Sequence, residues 1–284
     1  MLRAVHESVR EVSERGALPV LVFDLDSTLF STCPRNLKIL EDFVTARGEE
    51  HPLLKEIWPT LTEEDMGWNV HESLQERGVE DEELLADLRK FWAARFFTDD
   101  FCEIDTPVPG APEFVSACHD AGAFIYYLTG RHVHGMEKGT VNGLVKHGFP
   151  LFTGKATCQL KPDFYANDKE FKTAALDAVR SLDGEVVATF ENEPGNANLF
   201  MRAFPEAKHY LLDTVHSPEA EAPDPSLIGA PTLLFLLRSS LGGGDRPDAA
   251  RALVSRLLEQ HADAVLAPHF LKLVVADHTH YAWH

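Results

Sequence analysis

Cysteine is scarce in this chain, positive charge is outnumbered and long apolar runs are missing; each shortage removes a class of protein. Cys33, Cys102, Cys118 and Cys158 are the only cysteines in 284 residues. None stands in a Cys-x-x-Cys pair, so no disulfide framework is expected and the thiols read as reduced. Lys and Arg number 26 against 45 Asp and Glu, a formal charge of −19. So acidic a surface repels phosphate backbones and anionic headgroups, and neither nucleic acid nor membrane is an expected partner. The longest candidate span, the run at 233–237, falls far short of the ~18 apolar residues a membrane helix needs. Residues 1–15 mix charges of both signs without an apolar stretch, unlike a secretory leader. A cytoplasmic location is the expectation. With 44% hydrophobic residues over this length, the chain has enough apolar side chains for one main domain and an accessory piece.

The most informative stretch is Pro19-Val-Leu-Val-Phe-Asp-Leu-Asp-Ser-Thr28. Four apolar residues, Val20 to Phe23, bounded by Pro19 and acids, read as a buried parallel strand. Asp24 and Asp26 leave it as alternate residues and share a side where extended geometry persists. Carboxylates that close raise one another's pKa unless a cation separates them. A hard divalent ion with oxygen ligands, Mg²⁺ above all, meets that need. Alone, the same residues also fit an Asp-x-Asp turn capping a helix through Ser27 or Thr28.

Asp24-Leu25-Asp26-Ser27-Thr28 after an apolar strand resembles the first motif of the haloacid dehalogenase-like superfamily, mostly Mg²⁺-dependent phosphatases and phosphotransferases that work through an aspartyl-phosphate. The other motifs follow in order. A second apolar strand at 123–128 ends in Thr129-Gly130-Arg131, similar to the second motif, where a strand-tip hydroxyl bonds the transferring phosphoryl group. The third motif is a lysine near the start of the helix before the fourth strand, and Lys155, Lys161, Lys169 and Lys172 all lie in that interval. An N-cap at Asn167 or Asp168 and the apolar line Phe171, Ala174, Ala175, Ala178, Val179 and Leu182 put Lys172 in the first turn, ahead of Lys161 as second choice. After a strand at 186–190, Glu191-Asn192-Glu193-Pro194-Gly195-Asn196 stands where the fourth motif supplies acids to the metal. Its commonest form carries aspartates, so Glu191 is a departure; a glutamate still ligates Mg²⁺ directly or through water.

The resemblance implies an α/β fold, a three-layer Rossmann-like parallel sheet with an inserted helical cap. It implies Asp24 as nucleophile, Asp26 as acid and then base, and Thr129 and Lys172 as neutralisers of phosphoryl charge. Thr28, Gly130 and Arg131 are the expected substrate contacts, and Asp24, Asp26, Glu191 and Asn192 the expected Mg²⁺ ligands, with Asn196 a further oxygen donor. The expected activity is hydrolysis of a small-molecule phosphate ester. A phosphotransferase or phosphomutase on the same residues is the alternative, and a non-catalytic binding module that kept the fold a more distant one. The superfamily's dehalogenases lack the second aspartate, so Asp26 favours phosphate esters over carbon–halogen bonds.

Periodicity places a lead-in helix at 1–16, strands at 19–24, 123–128, 186–190 and 208–212, and a short strand near 151–152. Helices from Pro112 to Gly122 and around Met136, Val141, Leu144 and Val145 join them, an alternation that a parallel sheet demands. The expected core is 1–30 with 106–216. The expected cap is 31–105, with an apolar line through Leu84, Leu85, Leu88, Phe91 and Trp92. Trp58, Trp68 and His71 read as core of that cap. Residues 220–231, rich in Pro and acids, read as a loop. The appendage at 217–284 has no assigned role; it carries a helical pattern at 249–258 and a strand or buried segment at 270–276. His278, His280 and His284 read as a polar tail rather than a zinc site.

Overall fold

The computed structural model describes residues 2–230, so the readings for 233–237, 249–258, 270–276 and the terminal histidines lie outside the described residues. The chain runs α1 (Leu2–Glu14), β1 (Pro19–Phe23), β2 (Phe30–Ser31), α2 (Cys33–Arg47), α3 (Pro52–Ile57), α4 (Val70–Glu76), α5 (Glu82–Phe96), α6 (Asp99–Cys102) and β3 (Thr106–Pro107). It continues through α7 (Ala111–Asp120), β4 (Phe124–His132), α8 (Val133–Lys146), β5 (Ala156–Lys161), α9 (Asp168–Arg180), β6 (Glu185–Glu191), α10 (Pro194–Ala203), β7 (Lys208–Leu212) and β8 (Ile228–Ala230). Six strands form one sheet in the order β5-β4-β1-β6-β7-β8, every pairing parallel.

Alternation along the strands builds the layers. Leu21, Phe23, Ile125, Tyr127, Ala188 and Phe190 face α1 and α7, meeting Val5, Val9, Val12, Phe114 and Val115. Val20, Val22, Tyr126 and Leu128 face the other way, onto Ala175, Leu176 and Val179 of α9 and Phe200 of α10. Both faces of the sheet are thus covered, which is why its strands read as continuous apolar runs. Across neighbouring strands Phe23, Phe190 and Tyr210 stack, with ring centroids 4.6 and 4.9 Å apart. The α/β three-layer expectation holds.

Two strand readings are corrected. The third sequential strand of the sheet is β5 at 156–161, not 151–152: Phe152 has φ +58° and is 77% exposed. β5 is an edge strand of mixed polarity, mostly half-buried, so it carries no apolar run to find. The stretch read as a loop at 220–231 contains β8, three residues pairing Ile228 with Tyr210 and Ala230 with Leu212. Val145, one of the apolar positions that mark α8 in the sequence, is 55% exposed.

β2 and β3 pair antiparallel, Phe30 with Pro107 and Ser31 with Thr106, and between them the chain builds a helical insertion, α2 to α6. The insertion has its own apolar cluster, including Leu40, Phe43, Leu54, Val70, Leu74, Leu84 and Leu88, with Trp58 packed against it. His71 is buried there, whereas Trp68 is 42% exposed and departs from the core reading. The insertion's last turn lies close on α8: a Cβ at Gly139 would overlap the Asp99 carbonyl oxygen, so only glycine permits that approach.

Phe190→Ala removes the middle ring of the stack and should cost ~3–5 kcal/mol in chemical denaturation. Val145→Ala, on the exposed side of α8, should stay within about 0.5 kcal/mol of the parent. Equal losses would contradict the assigned core.

Candidate active site

The motif residues converge where β1, β4 and β6 end. Asp24 follows β1, Thr129 lies in the last half of β4 and Glu191 closes β6. Ligands of open parallel sheets bind beyond these carboxyl ends. The Asp24 N–H donates to the Phe190 carbonyl at 3.0 Å, prolonging the β1–β6 ladder and fixing the backbone under the carboxylate. The chain then turns sharply: Thr28, Leu29 and Phe30 N–H groups all point to the Leu25 carbonyl, and Ser27 sits at φ +58°. A non-glycine residue held there stores strain, and such strain clusters at functional sites.

Lys172, about one turn into α9 behind an Asn167 cap, reaches both acids. Its Nζ lies 2.7 Å from Asp24 Oδ1 and 2.8 Å from Glu191 Oε2. Lys172, Asp24 and Glu191 are 3%, 5% and 0% exposed. Burial and then the Glu191 charge push the Asp24 carboxyl up to about 8, against the pull of Lys172. Burial also opposes the charge on Lys172, but the two carboxylates outweigh it and hold the ammonium above its ordinary value. Glu191 is fixed from its other oxygen, Oε1 accepting the N–H groups of Asn192 at 3.2 Å and Glu193 at 3.1 Å. Lys161, the other motif-lysine candidate, pairs with Asp168 Oδ1 at 2.7 Å instead.

Asp26 turns a different way. Arg131 Nε donates to its Oδ1 at 2.9 Å and Arg131 Nη2 joins the same oxygen. Arg131 Nη2 also meets Asp105 Oδ2 at 2.7 Å, and Nη1 donates to Thr140 Oγ1 at 3.3 Å. Asp105 is held in turn by Arg35, with Nε 2.9 Å from Oδ1 and Nη2 on Oδ2. Burial alone would raise Asp26, but Arg131 and Arg35 hold its carboxyl below the usual range. Sequence reading missed Arg35 and Asp105, because a single arginine in an amphipathic helix and an aspartate before Thr-Pro carry no periodic or motif signal.

The remaining candidates gather nearby. Thr28 Oγ1 donates to Asn192 Oδ1 at 3.2 Å, and Asn192 Nδ2 donates to the Val215 carbonyl at 2.6 Å. Thr129 Oγ1 accepts the Arg131 N–H at 3.2 Å and is buried. A Cβ at Gly130 would come within 3.2 Å of Asp168 Oδ2, so the strand tip lies against the start of α9.

A Mg²⁺ ion fits this donor set by charge. One lysine stands against two buried carboxylates, and burial first and the Glu191 charge second raise the Asp24 pKa. The donors of Asp24, Glu191 and Asn192 are hard oxygens suited to that ion. The carboxylate oxygens of Asp24, Asp26 and Glu191 do not all lie within 4.8 Å of one another, and Arg131 already occupies Asp26 Oδ1. Among the described residues, the one set of three acidic or imidazole groups with ligand atoms within 4.8 Å of one another is Glu50, His51 and Asp87 on the insertion. There Arg47 Nη1 already lies 2.8 Å from Asp87 Oδ2.

The raised Asp24 pKa has a signed consequence for the metal-free protein. Asp24 is protonated when folded and ionised when unfolded between 3.8 and about 8, so stability falls as pH rises through that window. Urea midpoints of metal-free wild type and Asp24→Asn should diverge across it in favour of the variant and run parallel above it. Parallel profiles throughout would contradict the buried, charge-poor pocket.

No family model matches the sequence, and no curated protein does. The fold is similar to a phosphatase candidate from Clostridium difficile, with 13% identity, TM-score 0.52 and coverage of 79% of this chain and 99% of that one. A haloacid dehalogenase-like family hydrolase from Streptococcus pneumoniae aligns at 11% identity, TM-score 0.46, covering 79% and 99%. A HAD family hydrolase from Deinococcus radiodurans, with bound phosphate and sodium, aligns at 16% identity, TM-score 0.45, covering 79% and 95%. The likeness is one of fold: a six-stranded parallel sheet covered by helices on both faces, with a helical insertion after the first strand.

Proposed function

We propose that the protein is a Mg²⁺-dependent phosphomonoester hydrolase that passes the phosphoryl group through Asp24. The observation that carries this reading is the buried Lys172 ammonium between Asp24 and Glu191, with Thr129 on the adjoining strand end. Asp24, Glu191 and Asn192, with Asp26 nearby, would hold the ion, which when bound supplies positive charge against the phosphoryl oxygens.

Asp24 attacks phosphorus as its carboxylate and the ester oxygen leaves with its bonding pair, taking its proton from Asp26, which must first gain that proton against the pull of Arg131 and Arg35. Water then attacks the acyl phosphate, its proton passing to Asp26, and inorganic phosphate departs with Asp24 regenerated. Lys172 neutralises nucleophile and phosphoryl oxygens together, and the Thr129 hydroxyl and Gly130 backbone meet those oxygens. Thr28 orients Asn192. Arg131, spent on Asp26 and Asp105, meets substrate only on releasing one of them.

A small substrate suits the cleft between insertion and core. About 240 Å³ lies between Gly67, Trp68, Glu72 and Glu76 on one side and Thr214, Val215 and His216 on the other. Thr214 Oγ1 donates to the Ser27 carbonyl at 2.6 Å, so this cleft adjoins the catalytic turn. The insertion then acts as a cap that excludes water and selects the leaving group. The free thiols Cys33, Cys102, Cys118 and Cys158 support a reducing, cytoplasmic setting.

Purified protein should hydrolyse p-nitrophenyl phosphate with Mg²⁺ and lose that activity on chelation. Asp24→Asn should abolish turnover, and Lys172→Ala should damage it more than Lys161→Ala. An active Asp24→Asn protein would remove the nucleophile, and the reverse lysine ranking would move the third motif to Lys161.

A further inference from the structure

We infer that Arg35 and Asp105 are positioning residues for the proton-transfer step, acting through Arg131 to fix one oxygen of Asp26 and leave the other for exchange with the leaving group and water. This rests on the acid–base role proposed for Asp26.

The quartet is built from four separate segments: Asp26 in the turn after β1, Arg35 on α2 at the start of the insertion, Asp105 just before β3 where the insertion returns, and Arg131 on β4 of the core. Arg35, Asp105 and Arg131 are 0%, 3% and 3% exposed, while the Asp26 side chain is 34% exposed. Two guanidiniums and two carboxylates balance in charge. Buried charges of this kind contribute little net stability, and their best-attested use is to specify one arrangement.

The contacts on Asp26 are one-sided. Arg131 Nε, Arg131 Nη2 and, at 3.6 Å, Arg35 Nη2 all fall on Oδ1. A carboxylate clamped by both oxygens is poorly placed to exchange a proton; clamped by one, it has a fixed plane and a free oxygen. Arg35 is itself locked, its Nη1 donating to the Phe96 carbonyl at 3.1 Å and its guanidinium 4.4 Å from the Phe96 ring centroid. Asp105 joins the two arginines, so the orientation of Asp26 depends on both crossings between core and insertion. A group positioned in this way acts through preorganisation rather than by touching substrate.

The test is a kinetic double-mutant cycle on the full chain with p-nitrophenyl phosphate and Mg²⁺. Arg35→Met and Asp105→Asn should each lower kcat by roughly 10–100-fold, a part of the 10²–10⁴ that acid–base catalysis supplies, with KM nearly unchanged. In an Asp26→Asn background neither should lower kcat further, because the group they act on is gone. The double variant Arg35→Met with Asp105→Leu removes both buried charges together and guards against misfolding. With its melting temperature kept, it should show the same kcat loss. Losses that multiply in the Asp26→Asn background, or that fall on KM with kcat retained, overturn the positioning role and leave the proposed hydrolase standing. Full activity of Asp26→Asn overturns its acid–base role and this inference with it, and wild type that turns over no phosphomonoester overturns the parent reading as well.

Discussion

Lys172 holds Asp24 and Glu191 together in a space closed to solvent, and the rest of the site is arranged around the charge that this leaves unbalanced. A single ammonium between two buried carboxylates satisfies one of them. Burial and the Glu191 charge favour a proton on Asp24, a proton that a divalent cation would displace in the proposed reaction. In that reaction the cation would relieve the charge deficit. The fold makes this possible because β1 and β6 are neighbours, α9 packs beside them, and their ends bring residues 24, 172 and 191 together.

Asp26, two residues from Asp24, lives in the opposite environment. Arg131 and Arg35 hold its carboxyl below the usual range, while burial and Glu191 push that of Asp24 up against the pull of Lys172. Carboxylates pushed apart in this manner take different chemical roles. The two side chains serve different partners, Lys172 for Asp24 and Arg131 for Asp26.

The parts of this architecture with local signals were legible in the sequence. β1, β4, β6 and β7 announce themselves as apolar runs because helices cover both faces of the sheet, and the place of Lys172 near the start of its helix followed from the cap and apolar line. The edge strands were not legible. β5 carries polar residues and β8 has only three, and both are set by pairing with a neighbour rather than by their own composition. At the site, the sequence suggested Asp24 and Asp26 on one side around one ion; in the structure Arg131 pairs with Asp26 Oδ1. Arg35 and Asp105 were invisible because their meeting depends on the path of an entire inserted segment, and no spacing rule relates residues 35, 105 and 131.

Asp24 as the covalent carrier of the phosphoryl group is the claim from which the other assignments follow. Borohydride quenching during turnover with Mg²⁺, followed by peptide mass spectrometry, tests it most directly, since an acyl phosphate is reduced where a free carboxylate is not. The account predicts conversion of residue 24 to homoserine, dependent on substrate and metal. Continuous phosphate release with residue 24 unmodified, or modification at another carboxylate, would contradict it.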